Sequence, residues 1–345
     1  MRTTKWKSAA LIGAGRMGRA HATALRELGV ELTAICDSNL NALGELGDAF
    51  GVPNEMRFDS ASRLFERLGS VDIVSIATTA ESHKNFTCLA AEAKCGAILC
   101  EKPMATSVKD CESMIAACAA SGTKLAINHQ MRFMDQYLVV KEAIKNGGLG
   151  KMASMTVVGG CFGFAMNGSH YIEAFRYLTG SEPEYATAWF SDATVPNPRG
   201  PHFFDQAGEI RIVGTDGQRL NLIIGPDQGH GMTVTYAGAY GHIFVDELQG
   251  EAIITTRKPE HRAMPATRYG MPWDRETIHF PQSDNVQPTK AVLAALAAGR
   301  NYPTGEDARL VVAALAACYK SAETGNVAVG LQTLDDFGSR TFPWA

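Results

Sequence analysis

The first residues with an evident chemical use form a glycine cluster near the start of the chain. Gly13, Gly15 and Gly18 follow the apolar run SAALI and open a helical pattern, and Asp37 ends the next apolar run. In a strand–turn–helix unit, the first glycine permits the tight turn and the second lets a pyrophosphate approach the backbone. The third lets the helix pack on the strand, and the helix N-terminus offers free N–H groups to the phosphates. The pattern predicts a dinucleotide site.

Asp37 bears on which dinucleotide would bind. Its carboxylate can accept hydrogen bonds from an adenosine ribose diol and would repel a 2′-phosphate. Ser38 and Asn39, which follow, include no arginine that would attract that phosphate. The sequence therefore favours NAD. NADP stays open as an alternative, because loop geometry could bring Arg16 or Arg19 within reach.

A second group of chemical interest stands in the stretch AILCEKPMATSV, residues 97–108. Glu101 and Lys102 end an apolar strand pattern, and Pro103 stops it. Open α/β sheets bind ligands beyond the carboxyl ends of their strands. An ammonium there can hydrogen-bond a carbinol oxygen and stabilise negative charge that develops on it. The alternative is a lysine that simply reaches solvent at a strand end.

A third candidate is His170, in the helical stretch SHYIEAFRYLTG. Removal of a hydroxyl proton works best with a group whose pKa lies near the working pH, and an unperturbed histidine meets that condition. Glu173, one helical turn later, could orient the ring. A packed histidine among aromatic neighbours is the alternative.

The elements that must position these residues follow from the hydrophobic pattern. The first third of the chain alternates short apolar runs with helical stretches, which is typical of βαβ units and a parallel sheet. From Lys151 the chain reads as extended segments, with a hairpin turn at TDGQ, and two helical stretches follow. We expect an α/β domain with a doubly wound parallel sheet over residues 1–122. An α+β domain with a large, mostly antiparallel open sheet would cover residues 123–345.

Composition excludes several partner classes. The 345 residues carry a formal net charge of -4, which gives no reason to expect nucleic acid or an anionic membrane surface as a partner. No apolar run approaches the roughly 20 residues of a membrane span. The eight cysteines match neither a zinc site nor a disulfide framework, and the nine histidines form no HExxH pattern. We expect a cytoplasmic protein without a metal site.

Several stretches together resemble one family. LIGAGRMGRAH, EKPMATS, NHQMRF, GGLGK, GSHYIEAFRYLTG and SAETG are similar to segments of the Gfo/Idh/MocA family, the glucose–fructose oxidoreductases and inositol dehydrogenases. The resemblance implies a Rossmann domain followed by the open sheet. It also implies an NAD(P)-dependent dehydrogenase that acts on the CH–OH group of a sugar, cyclitol or related polyol, and a homodimer or homotetramer formed through the open sheet face.

The resemblance also implies residue roles. Lys102 matches the active-site lysine and His170 the acid/base histidine, while His83 matches a residue near the nicotinamide and Glu101 one near its ribose. The predicted cofactor-binding residues are Gly13, Gly15, Arg16, Met17, Gly18, Asp37, Thr78, Thr79, His83, Glu101 and Lys102. The predicted substrate-binding residues are Lys102, Asn128, Gln130, Arg132, Asn167 and His170, with Phe162, Tyr171, His230, Tyr236 and Arg268 as further candidates. For Asn128, Gln130 and Arg132, the alternative is that they are hinge and packing residues at the domain junction.

The chain departs from the family at one position. Many members carry an aspartate four residues before the histidine, where this chain has Met166. Asn167 is the nearest polar residue; it cannot take up a proton, but it could hold a substrate hydroxyl, because residues three apart share a helix face.

Two other functions remain open. Some relatives of the family are NAD-dependent glycosidases that work through a transient oxidation, and a non-catalytic NAD(P)-binding sensor or regulatory protein is the other alternative. Steady NADH formation from a free polyol would separate the dehydrogenase from the glycosidase. The presence of both Lys102 and His170 argues against a sensor, which needs no acid/base pair.

Overall fold

The computed structural model describes residues 5–161, 163–193, 196–265, 272–282 and 284–345, so the candidates Phe162 and Arg268 lie outside the described residues. The chain divides into two units. The first comprises Met1–Gln130, Asp284–Val312 and Gly338–Ala345, and the second comprises Met131–Ser283 and Ala313–Phe337.

The described residues form fifteen strands and nine α-helices. The strands are β1 Ser8–Ile12, β2 Glu31–Cys36, β3 Arg57–Phe58, β4 Ile73–Ile76, β5 Ala97–Cys100, β6 Lys124–Ile127, β7 Met152–Gly159, β8 Pro183–Ser191, β9 Ala207–Gly214, β10 Arg219–Ile224, β11 Met232–Gly238, β12 Gly241–Asp246, β13 Glu251–Arg257, β14 Trp273–His279 and β15 Val329–Gly330. The helices are α1 Arg16–Glu27, α2 Leu40–Phe50, α3 Ala61–Leu68, α4 Ala80–Glu92, α5 Val108–Ser121, α6 Asp135–Lys145, α7 Ser169–Thr179, α8 Val286–Ala298 and α9 Gly305–Glu323.

The first unit contains a six-stranded parallel sheet with the order β3-β2-β1-β4-β5-β6. Strands β4 and β5 are buried along their whole length, as expected of continuous apolar runs in a sheet covered on both faces. The strand order reverses between β1 and β4, and a ligand crevice is expected at the carboxyl ends of such strands. This sheet confirms the predicted doubly wound α/β fold.

The grouping of the chain differs from the predicted boundary after residue 122. Strand β6 pairs with β5 in the parallel sheet, and α8 packs against α1 although it comes much later in the sequence. The backbone N–H of Ile127 also donates to the carbonyl of Pro303. The first unit therefore includes a late segment, and local hydrophobic patterns carry no information about such a return of the chain.

The second unit contains a nine-stranded sheet with the order β14-β13-β12-β11-β7-β10-β9-β8-β15, in which β7 and β10 form the parallel pair. The predicted turn at TDGQ joins β9 and β10, and Gly217 adopts the positive φ that this turn requires. Helix α7 packs on β7 and α6 on β13. The residue pattern over 133–149 predicts one long helix, but α6 begins at Asp135 and ends at Lys145. The mostly antiparallel sheet confirms the second predicted fold class.

Alternation along the strands shows that the two faces of this sheet differ. In β8 to β10, side chains such as Ala186, Ile210 and Leu222 are buried, whereas Thr187 and Arg211, from the opposite face, retain exposure. This period-two pattern is typical of a sheet with one face in a core and one face open. Among the described helices, none is long and apolar enough to cross a membrane.

Candidate active site

The glycine turn has the geometry that its sequence predicts. Gly13 has a φ of +102°, and a Cβ there would lie 2.7 Å from the carbonyl group of Ala77. A Cβ on Gly18 would overlap the carbonyl oxygen of Gly13. Both glycines are therefore required by the protein's own packing. Around Gly15, by contrast, no protein atom lies within 4 Å of the Cβ position, so this glycine leaves open space beside the backbone.

Helix α1 begins directly after this turn and presents a free N-terminus. Gly15 is its N-cap and offers no side chain to the first N–H groups. Arg16 and Met17 form the first turn, so their backbone N–H groups have no partner within the helix. The open space at Gly15 and these donors fit a phosphate group.

Asp37 lies at the end of β2, next to the turn. Its Oδ2 accepts a hydrogen bond of 2.6 Å from the backbone N–H of Ala14, and its Oδ1 accepts one of 2.7 Å from Asn39. These two bonds fix the carboxylate, which is half-buried. Each oxygen keeps a lone pair that can accept from a hydroxyl.

A cavity of about 430 Å³ opens beside Gly13 and Asp37. The carboxyl ends of β1, β2 and β4 border it, and α4 contributes two apolar side chains. Three acidic side chains line it, and the described chain places no lysine or arginine in its wall. The lining residues are Ile12, Gly13, Cys36, Asp37, Ser38, Asp59, Ser60, Ala61, Ser62, Thr78, Thr79, Glu81, Ser82, Phe86 and Leu89.

His83, predicted to contact the cofactor, is fully buried in α4. Its Nδ1 lies 3.0 Å from the carbonyl oxygen of Pro103, and its Nε2 lies 3.1 Å from that of Thr78. Burial lowers the pKa of His83, so the neutral ring donates to one of these carbonyls. The structure places His83 as a link between the segment after β4 and the segment after β5, with both ring nitrogens facing protein atoms.

Glu101 and Asn128 also lie within the first unit. Asn128 Nδ2 donates to Glu101 Oε1 at 2.7 Å and to Thr289 Oγ1 at 3.1 Å, and both the acid and the amide are buried. Burial would raise the pKa of Glu101, but hydrogen bonds from His21 and Asn128, with the charges of His21 and Lys102, lower it to about 2. The described bonds of Asn128 and Glu101 are to protein groups, and the predicted substrate contact of Asn128 and ribose contact of Glu101 stay predictions.

Lys102 is the second residue after β5, at the edge of the sheet where the cavity lies. It is half-buried, its backbone N–H points at Glu101 Oε2 at 3.3 Å, and its peptide bond to Pro103 is cis. The lysine thus stands at the carboxyl end of a parallel strand, as the sequence predicts.

In the second unit, His170 lies in the first turn of α7, after a π-helical turn over Phe164–Gly168. The ring is largely buried, with Nδ1 inside the protein. Asn167, in the turn, is half-buried. The buried carboxylate of Asp205 accepts hydrogen bonds from two backbone N–H groups of this turn, those of Ala165 and Met166. Asp205 lies in an irregular stretch and has no sequence signal of this role.

Arg132 belongs to a buried charge network of the second unit. Its guanidinium pairs with Glu173 and stacks on the ring of Tyr177, at 4.4 Å from the ring centroid. Glu173 also accepts a hydrogen bond of 3.0 Å from Arg176 Nε. Glu173 therefore serves two arginines, although the sequence suggested it as a support for His170. The substrate contact of Arg132 stays a prediction. Gln130 is buried at the end of the first unit.

Two of the further candidates, Tyr171 and Tyr236, lie in a buried cluster around Glu247. Tyr171 and Tyr137 direct their hydroxyl groups at the two Glu247 oxygens, at 2.8 and 3.3 Å. Burial raises the pKa of Glu247 to about 7, although both tyrosine hydrogen bonds lower it. His230, in contrast, is exposed.

Comparison with known proteins agrees with this geometry. Residues 7–129 match the sequence model GFO_IDH_MocA, described as an oxidoreductase family with an NAD-binding Rossmann fold. This stretch of the chain is therefore similar to the Gfo/Idh/MocA family in its NAD-binding Rossmann region. Among the described residues, no group of three or more His, Cys, Asp or Glu could hold a metal ion.

Relatives of this chain include proteins named as sugar and cyclitol dehydrogenases. It is 38% identical to D-apiose dehydrogenase of Paraburkholderia graminis over 149 residues, which cover 43% of this chain and 39% of that protein. It is 25% identical to myo-inositol 2-dehydrogenase of Thermotoga maritima over 71% of this chain and 77% of the relative. The chain thus spans well under half the length of the apiose dehydrogenase it matches.

The fold also matches solved structures. One is an oxidoreductase from Agrobacterium radiobacter in complex with NAD+, L-tartaric acid and magnesium. The superposition covers 96% of this chain and 100% of that one, with a TM-score of 0.77 and 22% sequence identity. At this identity the likeness concerns the fold.

Proposed function

We propose that this protein is an NAD-dependent dehydrogenase that transfers a hydride between the cofactor and a carbinol of a sugar, cyclitol or related polyol. One observation carries the proposal: Lys102 stands at the carboxyl end of β5, at the same sheet edge as the cavity bounded by Gly13 and Asp37. An ammonium and a dinucleotide cradle at one edge are what the oxidation of an alcohol requires. The names of the apiose and inositol dehydrogenases support this substrate class.

The cradle fits a dinucleotide. The backbone at Gly15 and the first N–H groups of α1 would hold the pyrophosphate, because no side chain caps them and no protein atom fills the space at the Gly15 Cβ position. Asp37 would accept from the adenosine ribose, and Phe86 and Leu89 provide apolar surface for the base. When bound, NAD+ supplies the hydride acceptor.

NAD is favoured over NADP by charge. Asp37, Asp59 and Glu81 line the cavity, and a 2′-phosphate would meet these carboxylates without a basic side chain from the cavity wall. Asp59 does have a basic partner, Arg63, at 2.9 Å, but both groups are largely exposed. We expect the dissociation constant for NADP to exceed that for NAD by one to two orders of magnitude, since a charge-assisted contact contributes about 1.5–3 kcal/mol.

Lys102 and His170 would act on the substrate. The Lys102 ammonium donates a hydrogen bond to the carbinol oxygen and stabilises its negative charge. His170 accepts the hydroxyl proton at Nε2, since Nδ1 lies inside the protein. Asn167, half-buried in the turn before α7, can bind a further hydroxyl. We expect an alanine at either Lys102 or His170 to lower kcat by about 10²–10⁴, the range of general acid–base effects.

The test is a panel of pentoses, hexoses, inositols and sugar acids, each incubated with NAD+ or NADP+ and followed at the NADH absorbance band. Sustained NADH formation with a free polyol, lost in Lys102→Ala and in His170→Ala, supports the dehydrogenase. Cleavage of a glycoside without accumulation of NADH would instead identify the glycosidase. NAD binding without turnover of any substrate would favour the sensor.

We also propose that the open face of the nine-stranded sheet forms a homodimer or homotetramer. A shallow cavity of about 560 Å³ lies on this face, bordered by Tyr185, Trp189 and Arg211, and both aromatic side chains are exposed. A broad face with exposed aromatic groups is typical of an interface. Light scattering of the purified protein gives the mass. Trp189→Glu should reduce the mass to that of the monomer. An unchanged oligomer mass would mean that this face is not the interface.

A further inference from the structure

His21 lies in the interior of the first unit, in α1, and is not among the predicted site residues. The side chain is fully buried, where a helix facing a sheet normally carries apolar residues. Its Nδ1 lies 2.6 Å from Ser75 Oγ and its Nε2 lies 2.8 Å from Glu101 Oε1. A buried carboxylate is costly unless it is paired and hydrogen-bonded. His21 is therefore the group that allows Glu101 to hold its charge inside the protein.

Asn128, the residue directly after β6, completes the network. Its amide donates to Glu101 Oε1 at 2.7 Å and reaches Thr289 Oγ1 at 3.1 Å. Both residues are completely buried. The bonds connect α1, β4, the carboxyl ends of β5 and β6, and α8, so the carboxylate is fixed by five elements of the first unit.

This network ends at the lysine proposed to act on the substrate. Glu101 Oε2 lies 3.3 Å from the backbone nitrogen of Lys102 and accepts its N–H. On the other side, His83 Nδ1 lies 3.0 Å from the carbonyl of Pro103. Two buried histidines thus fix the residues immediately before and after Lys102, one from α1 and one from α4.

Fold stability alone does not explain such a network. Buried ion pairs replaced by apolar residues of similar volume are often neutral or more stable, so their stabilising effect is small. What they do provide is a defined geometry, because each polar group has one arrangement that satisfies it. Within the described bonds, the network includes the backbone N–H of Lys102.

We propose that His21 and Glu101 are a positioning pair that fixes the backbone of Lys102 and aligns it with α1, the helix whose N-terminus would hold the cofactor. The inference rests on the proposed function, in which Lys102 binds the carbinol oxygen. Neither residue touches reacting atoms in this role. Misplacement of a catalytic group by about 1 Å can cost about 10²-fold in rate, so rigid support of Lys102 has a measurable effect.

The variants separate positioning from folding. His21→Gln keeps an amide donor toward Glu101, whereas His21→Leu removes it at similar size. We expect His21→Leu to lower kcat by about 10- to 100-fold, with the dissociation constant for NAD changed less than about threefold, and we expect His21→Gln to restore most of the rate. Glu27→Gln is the matched control: it breaks an exposed contact of 2.7 Å between α1 and Lys290 of α8 and leaves the buried network intact.

A second readout needs no substrate. Reductive ¹³C-methylation labels the lysines, and Lys102→Arg identifies the Lys102 resonance. His21→Leu should shift or broaden that resonance alone, His21→Gln should return it, and Glu27→Gln should leave it unchanged. If wild-type protein oxidises nothing in the panel, the proposed function fails while this readout still tests the pair. A folded His21→Leu with the wild-type resonance, or with wild-type kcat, overturns the proposal.

If His21→Leu does not fold, His21→Leu/Glu101→Leu replaces it, because the double variant buries no charge. Its Lys102 resonance should differ from that of the wild type in the same way, and an unchanged resonance there also overturns the proposal.

Discussion

Asp205 Oδ2 accepts a hydrogen bond of 2.7 Å from the backbone nitrogen of Met166, the residue that stands where many Gfo/Idh/MocA members carry an aspartate. Its other oxygen accepts one of 2.9 Å from Ala165. A carboxylate from a distant part of the chain thus fixes the turn that leads into α7 and His170. The geometry suits a negative group, because unsatisfied N–H groups at a helix start carry partial positive charge.

Replacing Asp205 should weaken both the fold and the proposed reaction. Asp205→Ala leaves two buried N–H groups without an acceptor, and each costs about 1–3 kcal/mol. Asp205→Asn retains one acceptor oxygen, so its stability should lie between those of the wild type and Asp205→Ala. Because this turn leads into His170, we expect kcat to fall by about tenfold or more while NAD affinity stays unchanged. Urea titration and steady-state kinetics give both quantities.

The matched control for Asp205 is Asp216→Asn, an exposed aspartate whose contact with Lys151 is 3.7 Å long. Surface pairs of this kind contribute little, so stability and kcat should both stay at wild-type values. An Asp205→Ala protein with wild-type stability would show that these two hydrogen bonds have no structural role.

Two glycines of the first turn should respond differently to alanine. Gly13→Ala places a Cβ 2.7 Å from the carbonyl carbon and oxygen of Ala77 and requires a strained φ, so we expect a loss of stability of several kcal/mol. Gly15→Ala meets no protein atom within 4 Å and should fold with an unchanged melting temperature. NAD binding by Gly15→Ala should nevertheless fall by more than about tenfold, because the methyl group takes the space of the pyrophosphate.

Differential scanning calorimetry measures the stability of both variants, and isothermal titration calorimetry measures the NAD affinity of Gly15→Ala. If Gly15→Ala binds NAD as tightly as the wild type, the pyrophosphate does not lie at this turn, and the cofactor assignment fails together with it.

Asp37 should control the choice of dinucleotide. Asp37→Asn removes the negative charge but keeps one acceptor oxygen, for the backbone N–H of either Ala14 or Asn39. We expect NAD affinity to fall by about 10- to 100-fold and NADP affinity to rise, since the repulsion of a 2′-phosphate is reduced. The ratio of the two dissociation constants is the measured quantity. Glu45→Gln, on exposed surface of α2, should leave that ratio unchanged.

How far the sequence predicts this site depends on the distance between partners. The turn at Gly13 and the strand end at Lys102 are local patterns, and the structure has both where they are predicted. The networks depend on residues far apart: Asn128 bonds Thr289, and Arg132 pairs with Glu173. Their polar side chains looked like pocket residues because no local rule reveals a buried partner. Met166 stands where the resemblance predicts an aspartate. No local pattern indicates that Asp205, 39 residues later, bonds this turn.

The sequence also contains a local signal that His21 has a buried polar partner. His21 lies in the same glycine-turn motif, on a helix face that also carries the buried Ala22 and Leu25. A histidine on an apolar face needs a polar partner from the neighbouring strands. Glu101 directly follows β5 at the carboxyl edge of the first sheet, as Asp37 follows β2 and Asp59 follows β3, so the pattern restricts the partner to a few acids without choosing among them.

Substitution of Glu173 should lower the free energy of unfolding far more than substitution of an ordinary surface acid. It is buried between Arg132 and Arg176, so Glu173→Ala leaves the buried Arg132 guanidinium without this carboxylate. Loss of one partner of a buried pair costs about 3–5 kcal/mol. Urea titration should show this loss, and a cycle with Arg132→Met should show that the two substitutions are strongly non-additive. Additive effects would mean that the two groups do not interact.

Glu247 should make stability depend on pH in an unusual direction. Burial raises its pKa from 4.5 to about 7 in the folded protein. Between these values the folded protein holds a proton that the unfolded chain has released, so stability falls as pH rises. The stabilising contribution is complete below about pH 4.5 and is lost as pH passes about 7. It amounts to about 3 kcal/mol at most, at 1.36 kcal/mol per unit, because Glu247 retains some exposure.

Glu247→Gln isolates this effect. The amide imitates the protonated carboxyl and can bond both Tyr137 and Tyr171, so the variant should match the wild type near pH 5 and exceed it in stability near pH 8. The difference between the two free energies of unfolding, measured in urea at pH 5, 6, 7 and 8, removes the contribution of every other group. Glu184→Gln, at an exposed position of β8, should show no such trend. A difference that stays constant over this range would mean that Glu247 titrates at its ordinary pKa, and that the two tyrosines bond a carboxylate at neutral pH.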